Sequence, residues 1–325
     1  LIGLAQVVSE FDGIFAIHMR DYSNDLMKSV EEVIRIAESS GARMQVSHLV
    51  AVGEKNWGRV ASALARIEEA NQRGCEINVD VYPYIAGSCP LSQILPDWSQ
   101  QGGDQAMRER LKDEEVRARV KASWVEREIN WDNYQIAATF PEFQSLIAKR
   151  IPKIAEELNK APDELALDLL SAMGHSLAII AYGRDEEDVK MVFAHELAMV
   201  GSDGLALDPS GPTGIGVPHP RSYGTFPRVL KRYVGAGQIS LERAIQICTS
   251  VPAAKLHLKD RGTLRDGYRA DLVIFDSETI LDRATYEDPH QFPMGIDYVI
   301  VNGEIVIKEG NHTGKRPGMV LQHTR

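Results

Sequence analysis

The chain has 325 residues, of which 44% are hydrophobic and 25% charged, and its formal net charge is −10 at pH 7. That length holds a large buried core and a second, smaller unit. An acidic balance with scattered charges of both signs excludes a nucleic-acid or anionic-membrane surface, which needs a clustered basic face, and no apolar run reaches the length of a membrane span. A small molecule is the expected partner. Cys75, Cys89 and Cys248 are too widely spaced for a disulfide framework or a zinc finger, so a reducing, cytoplasmic setting is expected.

The opening "LIGLAQVVSEFDG" lacks the basic start and cleavage site of a signal peptide. It reads as an amphipathic helix feeding a strand, as in a chain that begins in mid-protein. The strand, in "GIFAIHMRD", ends at His18. Next, "SVEEVIRIAESSG" sets Val30, Val33, Ile34 and Ala37 on one helical face, with Ser29 and Glu32 spaced as a capping box and Gly41 as a stop. "RMQVSHLVAV" then repeats the first strand and ends in His48, thirty residues on. A second helix, "RVASALARIEEANQRG", has Val60, Leu64 and Ile67 along a stripe and Gly74 just past its end, and a third strand follows in "CEINVDVYPY".

Strands separated by single helices at this period predict βα units on a parallel sheet, an α/β fold. Such sheets collect their chemistry at the C-terminal ends of the strands. His18, His48 and the polar end of "NVDVYPY" would then share one rim. Imidazoles from successive strands suit a zinc ion, whereas a single strand-end histidine is commonly a packing residue.

From "GSCPLSQILPDW" to about Leu177 the rhythm gives way to charged helical stretches with no clear strand, which predicts a helical insertion placed to act as a lid or as solvated decoration. Strand signals resume in "SLAIIAYG", followed by the helix "DEEDVKMVFAHEL", in which His195 reads as structural or exposed, and by "AMVGSDGLALD". Asp203, between small residues at the end of that last run, is suited to act as general base toward a metal-bound water, or is part of a plain turn. In "HPRSYGTFPRVL", the Arg221 guanidinium could hold a carboxylate through two hydrogen bonds. "GPTGIG" lacks the order of a dinucleotide site and reads as a loop. After the helix "SLERAIQICTSVPAAKLHL", alternating strands with turns at Asp266-Gly267 and Asn302-Gly303 predict a separate small β-unit.

Taken in order, "IHMRD", "SHL" with "NWG", "DVYPY", "GSDG", "HPRSYGTFPRVL", "TSVPAAKL", "RGTLRDGYRADLVIFD" and "VIVNGEIV" resemble the N-acyl-D-amino-acid deacylase (D-aminoacylase) family of the amidohydrolase superfamily, collinearly from about Leu4 to the C-terminus. The resemblance implies a metal-dependent (β/α)8 barrel, of which strands five to eight are visible, beside a small β-sandwich. It divides the chain into barrel βα units (1–88), a helical insertion (89–177), the last barrel strand and helices (178–258) and a β-sandwich portion (259–325).

By the same resemblance, His18 and His48 are zinc ligands, Asp203 is the catalytic aspartate, Arg221 binds the substrate α-carboxylate, and Tyr82 and Ser88 are further substrate contacts. The implied reaction is hydrolysis of an N-acyl-D-amino acid, or a D-terminal dipeptide, to a carboxylate and a free D-amino acid. A hydantoinase or dihydroorotase activity, or a metal-free inactive scaffold, are the alternatives. The family's His-x-His strand and metal-bridging cysteine belong upstream of the His18 position, so Leu1 is expected to fall about halfway round the barrel. Val50 stands where relatives often carry a lysine, which predicts a neutral or hydrophobic D-amino acid.

Overall fold

A computed structural model describes residues 1–321. Its strands are β1 (Ile14–Ile17), β2 (Arg43–Val46), β3 (Ile77–Val81), β4 (Ala86–Pro90), β5 (Tyr134–Ala138), β6 (Ala178–Tyr182), β7 (Ala198–Val200), β8 (Leu272–Phe275), β9 (Ile296–Val301), β10 (Glu304–Lys308) and β11 (Asn311–His312). They form a parallel sheet in the order β1-β2-β3-β7, an antiparallel sheet β4-β6-β5, and an antiparallel sheet β11-β10-β9-β8.

In the parallel sheet Ile17 lies opposite Val46, Val46 opposite Val79 and Val79 opposite Ala198, so the C-terminal strand ends share one edge. The helices Leu26–Ser40, Val60–Gln72 and Glu186–Ala194 contribute Val30, Val33, Ile34, Ala37, Leu64, Ile67, Val192 and Phe193 to the core shared with these strands. Gly41 ends the first of these helices in a left-handed conformation at φ 67°, and Gly74 follows the second at φ 101°, as the sequence predicts. The capping box does not form. The helix starts earlier, at Leu26, because Asp21 Oδ1 accepts the Ser23 and Asp25 amides at 2.6 and 3.0 Å, and Ser29, already inside the helix, accepts from the Asp21 amide.

The stretch expected to be purely helical contains strands. β4 and β5 pair with β6, so the residues of "SLAIIAYG" join the insertion's sheet rather than the parallel one. This sheet packs with the helices Gly103–Arg110, Glu114–Glu126, Ile151–Glu157 and Pro162–Met173 around a second core that includes Leu91, Met107, Trp124, Ile136, Leu170 and Ile179. Arg117 ties two of those helices together, donating to Glu164 at 2.6 Å and Asp168 at 2.8 Å. The C-terminal strands make one four-stranded sheet in which Asn302 and Gly303, at φ 48° and 82°, form the two-residue turn between β9 and β10. Among the described residues no helix is long and apolar enough to cross a membrane.

Candidate active site

The four parallel strands deliver His18, His48, Tyr82 and Asp203 just beyond their ends, on one rim. His18 Nδ1 and His48 Nε2 face each other at 3.0 Å. Tyr22 supports both rings, with centroids 5.1 Å from each, while its hydroxyl accepts from the Met19 amide and donates to the Ser47 carbonyl. His48 has φ 40° and Asp203 φ 48°, in the left-handed region that non-glycine residues rarely adopt.

The backbone of His48 is held in that conformation by Asp80, whose carboxylate accepts its amide at 2.8 Å and the Gln45 side chain at 2.7 Å. Asp80 presses on Gly201, where an added Cβ would come within 2.6 Å of its Oδ1, so residue 201 must lack a side chain for the carboxylate to reach His48. Burial pushes the Asp80 carboxyl upward against those two hydrogen bonds.

Both histidines are held in the neutral form. Burial lowers the His18 value, with Arg184 adding to the effect and Asp203 opposing it. Burial, then the Arg184 and His18 charges, push His48 down to about 3. A neutral imidazole is the metal-binding form. Two nitrogen ligands of one tetrahedral zinc ion lie ~3.3 Å apart, close to the observed spacing of His18 Nδ1 and His48 Nε2. The pair therefore fits part of a metal shell. Among the described residues no group of three or more His, Cys, Asp or Glu side chains converges in the same way.

Asp203 and Arg221 form an ion pair at 2.8 Å. Arg221 opens the helix Arg221–Arg228 and is fixed by His219, which is 3% exposed. The Arg221 amide donates to His219 Nδ1 at 3.0 Å, so the proton sits on Nε2, which donates to the Ala86 carbonyl at 2.9 Å. Burial, reinforced by Arg221, keeps that imidazole neutral. The Tyr82 ring lies between two cations, with the Arg221 guanidinium carbon 4.7 Å and that of Arg184 4.9 Å from its centroid, and its hydroxyl accepts from Arg184.

The structure thus brings together His18, His48, Tyr82, Asp203 and Arg221. Ser88 is half-buried on β4, two residues past the Ala86 carbonyl, and among the described residues no hydrogen bond links it to this cluster. Sequence reading passed over Asp80, Arg184 and His219. A polar residue inside the apolar run "INVDV" and a cation directly after "SLAIIAYG" were the available signals. His195 caps the helix before β7, where its carbonyl accepts from Arg243 at 2.6 Å, a structural role.

Known proteins resemble this chain in sequence and in fold. Residues 197–307 match the sequence model of the Amidohydrolase family. Over 325 residues the chain is 34% identical to the D-aminoacylase of Alcaligenes xylosoxydans xylosoxydans, covering 100% of this chain and 58% of that protein. It is 36% identical over 312 residues to the N-acyl-D-aspartate deacylase of the same organism, covering 95% and 53%. A crystal structure of N-acyl-D-glutamate deacylase from Bordetella bronchiseptica, complexed with zinc and a phosphonate inhibitor, aligns with a TM-score of 0.80 at 31% identity, covering 99% of this chain and 58% of that one. The chain spans somewhat over half the length of the proteins it matches. By sequence along its whole length and by fold, the chain is similar to D-aminoacylases and N-acyl-D-amino-acid deacylases.

Proposed function

We propose that this chain contributes to the zinc-dependent hydrolysis of N-acyl-D-amino acids, and that its parallel strands are strands five to eight of a (β/α)8 barrel, with an insertion running from β4 to β6 and the C-terminal β-unit appended. The facing pair His18 and His48, at 3.0 Å on the ends of adjacent parallel strands, carries the reading. These two neutral imidazoles would hold the metal. When bound, zinc supplies a Lewis acid for the amide carbonyl and lowers the pKa of water.

The chain's own residues supply the rest. Arg221 matches a carboxylate with its fork of donors and already holds that of Asp203. A substrate α-carboxylate arriving at Arg221 would take over this partner and free Asp203. Asp203 then accepts a proton from the attacking water as the C–O bond forms and gives it to the amide nitrogen as the C–N bond breaks, leaving a carboxylate and an amine. Tyr82 keeps Arg221 in place through its ring, and His219 does so through its backbone contact.

The test is zinc content by elemental mass spectrometry on the protein and on His48→Ala, with turnover of N-acetyl-D-amino acids measured alongside. Zinc bound near stoichiometry and lost in the variant, with turnover, supports the reading. Folded protein that binds zinc equally well without His48 sinks it.

A further inference from the structure

Arg184 stands at the end of β6, immediately after Gly183 at φ 115°, and turns its guanidinium toward the rim. It donates to the Tyr82 hydroxyl and, at 3.3 Å, to the Ala86 carbonyl. Room for it exists because residue 87 is glycine, where an added Cβ would lie 3.1 Å from the guanidinium carbon. Both acceptors are neutral, and no carboxylate of the described residues pairs with Arg184.

The neighbouring cation differs. Arg221 shares the Tyr82 ring with Arg184 but is neutralised by Asp203 at 2.8 Å. Arg184 is therefore the uncompensated charge of this pair. A half-buried guanidinium with spare donors beside a second guanidinium favours an anionic ligand.

On the deacylase reading, on which this inference rests, the α-carboxylate is taken by Arg221. We propose that Arg184 binds a second carboxylate, so that the site prefers an N-acyl-D-amino acid with an acidic side chain. This reverses the expectation drawn from Val50. That side chain is 2% exposed and packed in the core of the parallel sheet, and the cation comes instead from the insertion's sheet.

The experiment compares N-acetyl-D-glutamate with N-acetyl-D-glutamine, an isosteric pair differing in charge, on the zinc-supplemented protein, Arg184→Gln and Arg184→Lys. Both kcat/KM and calorimetric binding are recorded, the second being readable without turnover. The expected result is a preference for glutamate of at least about tenfold, as a charge-assisted contact implies. It collapses toward unity in Arg184→Gln and partly survives in Arg184→Lys.

A glutamate-to-glutamine ratio near unity in the unmutated protein overturns the proposal. So does an Arg184→Gln variant that weakens both ligands alike, which is the signature of a purely structural role through Tyr82. If neither compound is hydrolysed yet glutamate binds preferentially through Arg184, the deacylase reading fails and the anion site stands.

Discussion

The parallel sheet and the C-terminal antiparallel sheet are built from similar strands with opposite fates. "RMQV" and "INVDV" bury Met44, Val46, Ile77, Val79 and Val81 completely, whereas in "LVIF" Val273 and Ile274 remain 55% and 49% exposed. The apolar content of a strand does not decide its burial. Connections decide it: each crossover between parallel strands brings a helix that covers the sheet, and a two-residue hairpin such as Asn302-Gly303 brings nothing. One face of the C-terminal sheet borders an apolar cavity of about 560 Å³, shared with Phe226, Leu230, Ile245 and Cys248.

This contrast places the larger buried core on the first sheet, whose rim carries the proposed site, and it can be broken by substitution. On the proposed function the largest effect belongs to the rim: His48→Ala should lower kcat/KM for an N-acetyl-D-amino acid at least about 10³-fold, measured at saturating zinc, because the charge stabilisation of a zinc ion held there would be lost with its ligand. Next comes the cover. Phe193 is fully buried on the helix Glu186–Ala194, edge-on to Tyr233 at 4.9 Å, and Phe193→Ala should cost about 3–5 kcal/mol in urea unfolding.

The insertion, with its own core, should lie between the extremes. Arg117→Met should cost about 1–3 kcal/mol by removing the guanidinium shared by Glu164 and Asp168. Arg117, followed by Lys121, holds the Glu164 carboxyl below its usual range. That contribution is complete above the unfolded-state value of about 4.3 and is lost as the pH falls through the lower folded-state value. Unfolding of the protein and the variant should accordingly converge on acidification; a gap that persists unchanged at pH 3 would refute the assignment. The smallest effect belongs to the exposed sheet, where Val273→Thr should stay within about 0.5 kcal/mol.

What could be read from the sequence was local or periodic. The stripes on the first two connecting helices, the stops at Gly41 and Gly74, and the Asn302-Gly303 turn depend on near neighbours alone. The positions of His18, His48 and Asp203 just past strand ends were legible because a parallel strand announces where it ends, whereas the roles expected of them came from the resemblance alone. β4 and β5 were not: "AGSCP" and "YQIAA" have no alternation, and each exists by pairing with β6, far along the chain. For the same reason the sequence concealed Arg184, which reaches Tyr82 from 102 positions away, and Asp80, whose importance lies in the backbone of His48.

With the roles proposed for His48 and Asp203, their left-handed backbone puts function and durability in opposition. Each residue gives up roughly 1–2 kcal/mol to stand at positive φ, a penalty that glycine does not bear. Directed evolution for heat resistance alone would thus enrich glycine at positions 48 and 203, yielding a tougher protein with an empty rim. Selection for stability must carry an activity screen beside it, or the working residues are the first it discards.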